Sequence, residues 1–440
     1  MLDLLVAASV VPLVNLSQVA TTHKIPGALL LVLLPMWLVI FKNLFAYPCL
    51  VGFPRRSATG WPLIAWVTVI FVAWVGVGLV RALGNQALPG VLQTLGFLLT
   101  TALFAYAVFS RFRTVEPDKT IRAVAAGIGI YLLLNVALHL VGAKPPPIGG
   151  PSATSDAVML SAIGINAPRV FFPLASGLNG YAVVSGLGVV LAFTMLKGGN
   201  RIFWPAVLGA GIASILLGDS RGAALFTILA VAFFLIVPNA IRRRAHWFVI
   251  LAPAFSVAAI AVLMGLAGSG TSSPILQDLV YLFSRPDVAT EDIGAGRALV
   301  WDVAADELTK PKPIHIVGYG AYGQVVANIS RYYDSLFTYL DRPELATLHN
   351  AALQYAIDNG YIGTALFFSL IFLLARTWLA PAAMFLVLMG LTEAVPTIYF
   401  RDALFVFLMM CAYAATIHRK SGAVYESPAL NSVSERVQGS

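Results

Sequence analysis

The sequence predicts an all-α polytopic membrane protein, with about twelve transmembrane helices and one large loop on a single side. Three observations predict it. Only 11% of the 440 residues are charged while 59% are hydrophobic, where a soluble domain carries about a quarter charged residues. So few charges cannot cover a globule of this size, which excludes a cytosolic enzyme and a disordered chain. Two cysteines exclude a disulfide scaffold. The apolar residues come in runs of roughly 20, the length that crosses about 30 Å of hydrocarbon. The basic residues, finally, sort by side.

The first run, 2–20, is interrupted by Pro12 and Asn15. Its start, Met1-Leu2-Asp3, has no basic leader, so an uncleaved helix is expected rather than a signal peptide. Runs follow at 27–46, 62–80, 89–109 and 121–141. The stretch 151–173 is apolar but carries Asp156 and Arg169, and reads as an interfacial or re-entrant piece. Further runs cover 174–195, 202–218, 222–240 and 246–267, then 351–376, 379–397 and 402–418. The resulting division is 1–267 for helices one to nine, 268–348 for a large outer loop, 349–418 for helices ten to twelve, and 419–440 for a cytoplasmic tail.

With both ends inside, 16 of the 28 basic residues fall in inner loops, Arg242-Arg243-Arg244 most prominently, and 6 in short outer loops. The six others lie in 268–348, too long for the charge rule to apply. That loop also holds 10 of the 20 acidic residues and several aromatics, which argues against disorder. Within it, Arg297 to Leu308 reads as a helix, with Val300, Val303 and Ala304 at helical spacing.

The motifs are mostly absences. No phosphate-binding P-loop, His-Glu-x-x-His or Cys-x-x-Cys occurs, so neither an ATP-driven pump nor a zinc site is indicated, and no cofactor or nucleic acid is expected. Cys49 and Cys411 give no reason to expect a bridge. Gly318-Tyr319-Gly320-Ala321-Tyr322-Gly323 fits a dinucleotide fingerprint after a strand-like Ile314–Val317. Its outer placement speaks against such a cofactor. A glycine turn letting backbone approach a membrane-bound ligand is expected instead.

The outer arginines carry the information. Arg221 lies in Gly218-Asp219-Ser220-Arg221-Gly222, where one helix ends and another starts. Arg297 follows Gly294-Ala295-Gly296. Arg169 precedes Phe171-Phe172-Pro173 and then Asn179-Gly180. Arginines at helix starts suit phosphate groups, through dipole, backbone N–H and guanidinium fork; a boundary arginine that merely snorkels is the competing reading. Among six histidines, His349 is placed at the outer mouth of helix ten, where an imidazole can act as a general base near neutral pH. A helix-capping histidine is the plainer alternative.

These residues resemble the superfamily of O-antigen ligases and Wzy-type polymerases. Four motifs carry the resemblance: Arg169 through Asn179-Gly180, Ser220-Arg221-Gly222-Ala223, Gly296-Arg297 through Trp301 with Gly318-Tyr319-Gly320, and His349-Asn350 through Asp358-Asn359-Gly360. Leu178 departs from the pattern, where proline often precedes the asparagine. The resemblance implies a GT-C-like bacterial inner-membrane enzyme with its site facing the periplasm. It would move a saccharide from undecaprenyl diphosphate to an acceptor hydroxyl, inverting and without a metal. It assigns donor binding to Arg221, Arg297 and Arg169, the base to His349, and supporting roles to Asn350, Asn179 and Ser220. Asp219, Glu344 and Asp358 are fallback bases. The partners would be the lipid-linked glycan, the lipid A core of lipopolysaccharide or a second lipid-linked glycan as acceptor, and membrane lipids. A ligase is favoured over a polymerase of O-antigen or exopolysaccharide. A lipid or glycan transporter is the alternative from another class, with Glu393, Pro396, Arg401 and Asp402 as its one charged cluster.

Overall fold

A computed structural model describes residues 2–22, 28–46, 63–84, 88–111, 117–145, 157–161, 164–175, 177–196, 200–236, 246–249, 251, 297–333, 346–397 and 402–418. The regular elements among them are helices: α1 (Leu2–Thr22), α2 (Ala28–Ala46), α3 (Leu63–Arg81), α4 (Leu88–Arg111), α5 (Pro117–Leu140), α6 (Leu178–Met195), α7 (Phe203–Leu217), α8 (Arg221–Ile236), α9 (Arg297–Thr309), α10 (Ala351–Leu374), α11 (Ala380–Met389) and α12 (Ala403–His418). Four stretches, Leu63–Arg81, Val91–Val108, Lys119–Leu140 and Ala351–Leu374, are long and apolar enough to span a bilayer, and shorter apolar helices accompany them. The chain is a multi-pass membrane protein. Most of the predicted span 246–267, together with 268–296, Glu344, Cys49 and the tail, lies outside the described residues.

Helices apolar on every face belong inside a bundle. Every residue of α12 from Ala403 to Ala412 is buried, and α12 touches α1, α3, α4, α5 and α10. The α1 helix runs unbroken through Pro12, and Asp3 at its start pairs with Lys42 of α2 at 3.3 Å. That contact fixes α1 and α2 as an antiparallel pair.

Two predicted spans differ from their expected form. Segment 379–397 is helical only over α11, ten residues or about 15 Å, and continues as turns from 391. Segment 351–376 is broken at Gly360, whose φ of 68° and ψ of −174° leave the helix. The two limbs, 351–359 and 361–374, fold face to face. Tyr355 stacks on Phe367 with ring centroids 4.1 Å apart, although twelve residues of straight helix would separate them by about 18 Å.

The break follows from backbone packing. Gly318 and Gly360 sit back to back, and a Cβ on Gly360 would lie 2.5 Å from both Gly318 N and Ile316 O. The break orphans helical carbonyls, and each finds a donor. Tyr319 N donates to Ile357 O and Gly320 N to Asp358 O, both at 2.8 Å. Trp74 Nε1 of α3 donates to Asn359 O at 2.9 Å. Arg81 closes the joint by donating to Val317 O and Gly318 O. The glycine turn therefore brings backbone against backbone of α10, where the sequence reading expected a ligand. The strand-like Ile314–Val317 is a helical turn.

The predicted helix from Arg297 forms as α9. It makes a small core of Val300, Trp301, Ala304, Ile329 and Tyr333 with Leu348, Leu353 and Ile357. The 297–333 segment is thus bonded to the first limb of α10 along its length.

Candidate functional site

Two turns in this chain share one local design. Asp219 has φ 49° and precedes Ser220 and the start of α8; His349 has φ 51° and precedes Asn350 and the start of α10. Non-glycine residues in this left-handed region are uncommon and are held there by surrounding contacts. At the first turn, Asp219 Oδ1 accepts from Met159 N at 2.9 Å. Arg169 is buried, and its Nε and Nη2 donate to Gly218 O at 3.3 and 3.2 Å. Its Nε lies 3.9 Å from Asp219 Oδ2. Arg169 and Asp219 together shape the turn that presents Arg221. Ser220 O accepts from Ala224 N at 2.9 Å as α8 begins, and Arg221, half-buried, is the first helical residue.

At the second turn, His349 N donates to Thr347 Oγ1 at 3.2 Å. The His349 ring faces Glu393, with Nδ1 3.3 Å from Oε2. Asn350 is fully buried and committed to the fold. Its Oδ1 caps α10 by accepting from Leu353 N, and its Nδ2 donates to Leu391 O, each at 3.0 Å. Ala351 N donates to Gly390 O at 2.8 Å. The C-terminal end of α11 thus meets the N-terminal end of α10, opposite ends of two helix dipoles. That junction holds Glu393 beside the histidine.

The two turns adjoin. A Cβ on Gly222 would sit 3.4 Å from Thr392 Oγ1, so the start of α8 lies against the segment carrying Glu393. Arg297 opens α9. One helical turn on, Trp301 Nε1 donates to Leu348 O at 2.7 Å, immediately before His349. Asn179 lies in the first turn of α6, next to Gly180. Gly180 shares a cavity wall with Thr347 and Glu393. The structure therefore gathers the helix starts at 178, 221, 297 and 351 at one end of the bundle.

The side chain of Asn350 is bonded to Leu391 and Leu353 rather than to the His349 ring, which faces Glu393. Glu393 was visible in the sequence only as part of a charged cluster read as the last outer turn, because no local pattern links it to residue 349. Asp358, a fallback base, is fully buried. Its Oδ1 accepts from Gly323 N at 2.8 Å, and its Oδ2 from Gln354 Nε2 at 2.7 Å. Gln354 Oε1 in turn accepts from Leu348 N at 2.9 Å, tying this network to the backbone just before His349.

A second charged group lies on the 297–333 segment. Glu307 accepts from Lys312 at 2.6 and 2.7 Å, from Tyr319 Oη, and from His315 Nε2 at 3.1 Å. Desolvation pushes its carboxyl up, but the hydrogen bonds from Lys312, Tyr319 and His315 outweigh this and bring it down to about 2. Desolvation and the neighbouring Glu307 push the Tyr319 phenol up. Among the described residues, no cluster of three or more His, Cys, Asp and Glu side chains could hold a metal ion.

Residues 206–368 match the family model described as O-antigen ligase. The match supports the superfamily resemblance and covers Arg221, Arg297 and His349. It excludes Arg169, Asn179, Glu393 and Asp402. No curated protein matches the chain.

Proposed function

We propose that the chain is an envelope glycosyltransferase that joins a saccharide from undecaprenyl diphosphate to an acceptor hydroxyl, most simply as an O-antigen ligase using the lipid A core. In this reading it works at the periplasmic face of the inner membrane, and 268–348 forms the loop over the site. The observation that carries the reading is the His349–Glu393 pair beside the start of the Arg221 helix, in a chain whose 206–368 segment matches that family.

The chemistry follows from the groups. An ionised carboxylate only accepts hydrogen bonds, so Glu393 holds the proton on Nδ1 of His349. That tautomer leaves Nε2 to take the acceptor's hydroxyl proton, with Glu393 stabilising the imidazolium that forms. The acceptor oxygen attacks the anomeric carbon as the bond to the diphosphate oxygen breaks. The electron pair leaves on the diphosphate, and a single displacement inverts the centre. Arg221 and Arg297, both at helix starts, offset the developing charge. Arg169, paired with Asp219 behind the turn, holds the backbone that presents Arg221 to the donor. The energy is already stored in the diphosphate bond, in keeping with a chain that has no ATP motif.

Purified protein with lipid-linked donor and lipid A core tests this. His349→Ala is expected to lose about 10²–10⁴ in rate, the usual share of a general base. Arg221→Ala is expected to lose about 10²–10³. Transfer at the wild-type rate by a folded His349→Ala protein refutes the base assignment. Product analysis then separates ligation to lipid A core from polymer growth on a second lipid-linked glycan.

A further inference from the structure

Beside the His349–Glu393 pair lies a cavity of about 150 Å3, bounded by α1, α6, Thr347, Glu393–Val395 and Asp402–Leu404. The residues that matter in its wall are Asn15 and Gln18 of α1, Gly180 of α6, Thr347, Glu393 and Asp402. A cavity of about 150 Å3 holds a benzene-sized ring, so this one is on the scale of one sugar ring rather than a chain of them. Asp402 Oδ1 accepts from Leu404 N at 3.0 Å. The same carboxylate also accepts from the backbone of Thr397.

We propose that this cavity is the acceptor subsite, taking one neutral sugar ring whose hydroxyls donate to Asp402 and Glu393 and exchange hydrogen bonds with Asn15 and Gln18. The inference rests on the transfer reading above and goes beyond it. Its chemistry argues for the acceptor over the donor. Two carboxylates repel a diphosphate at short range, whereas each accepts hydroxyl protons well. Amides both donate and accept, as a ring of hydroxyls requires. Gly180 leaves room where a side chain would stand. Glu393 belongs to both the cavity wall and the histidine pair, so a ring seated there places a hydroxyl next to the base. The diphosphate is left to the arginine-bearing helix starts, on the side where α8 meets Thr392. Asn15, a polar residue odd inside the apolar α1, acquires a use: it supplies a polar wall.

The test measures KM for each substrate separately, with undecaprenyl-diphosphate-linked glycan as donor and lipid A core, or a second lipid-linked glycan, as acceptor. Asp402→Asn keeps the shape and removes the charge; Gln18→Ala removes an amide and serves as the second variant should the first not fold. Each is expected to raise the acceptor KM about tenfold and to leave the donor KM within twofold. A rise in donor KM alone, or unchanged KM values in both folded variants, overturns the proposal. If wild-type protein transfers to neither acceptor, the transfer reading fails, and the cavity is judged by calorimetric binding of the delipidated core oligosaccharide. Binding that Asp402→Asn abolishes keeps the subsite. Absence of binding to wild type removes it.

Discussion

Gly318→Ala is the sharpest test of how the 297–333 segment is held. The added methyl would sit 2.4 Å from Asp358 O, 2.4 Å from Gly360 N and 2.5 Å from Asn359 C. All three are backbone atoms of the α10 break, so no side chain can swing aside. Reaching ordinary contact requires a shift of about 1 Å, and that distance stretches the two 2.8 Å bonds from Tyr319 N and Gly320 N beyond hydrogen-bonding range. Two backbone bonds at about 1 kcal/mol each add to roughly 1–2 kcal/mol for a side chain at φ 83°. The joint should weaken by about 3–4 kcal/mol, or two to three orders of magnitude in local opening. Hydrogen exchange in detergent, followed by mass spectrometry of peptides covering 314–326, reads this directly. Gly142→Ala is the control: its φ is 80°, yet nothing lies within 4 Å of the added methyl. It should leave peptides from 314–326 at the wild-type rate. Wild-type exchange at 314–326 in Gly318→Ala would refute the docking argument.

Other outcomes are expected from single contacts. Glu393→Gln keeps the side-chain shape but loses the charge facing His349, and should lower kcat about 10- to 100-fold with little change in donor KM, measured by steady-state transfer. Asp358→Asn must turn an amide toward either Gly323 N or Gln354 Nε2, donor against donor. It should cost about 1–3 kcal/mol, seen as a lower melting temperature in detergent. Trp74→Phe removes the indole donor to Asn359 O and should cost about 1 kcal/mol by the same melting measurement. Glu307 gives a pH signature. Its carboxyl is lowered from 4.5 to about 2, so its contribution is complete above the unfolded value and disappears as pH falls through the folded one. With Lys312 half-exposed, solvent screening reduces the effect to about 1–2 kcal/mol. Melting temperatures of wild type and Glu307→Gln should converge between pH 4.5 and 2, and a constant gap across that window would contradict the assignment.

Membrane class was legible because it depends on composition and run length, which are local properties. The starts of α8, α9 and α10 were legible for a similar reason: Ser220-Arg221, Gly296-Arg297 and His349-Asn350 carry local signals of helix entry. The fold-back at Gly360 was not. Asn359-Gly360 is a turn dipeptide, but it sits inside 351–376, a run apolar and long enough to span, and the glycine turn that packs against the break lies some forty residues away at 318. The short reach of α11 was hidden likewise, because 391–397 stays apolar enough to extend a hydropathy run while its backbone turns away. Glu393 was missed through distance, lying 44 positions from His349 with nothing between to announce the contact. His315 had no evident context in the sequence, since its partner Glu307 sits eight residues away across a turn.

Because α11 stops after ten residues and hands its last carbonyls to the start of α10, it acts as a post of fixed height under the histidine turn. Height in a helix comes in steps. One inserted residue raises the post by about 1.5 Å and swivels its top by about 100°, which would carry Glu393 away from the His349 ring. The same insertion within the apolar run of a helix remote from this junction leaves that top untouched. The contact between Glu393 and the His349 ring is therefore written in the residue count of a buried helix that has no polar side chain of its own.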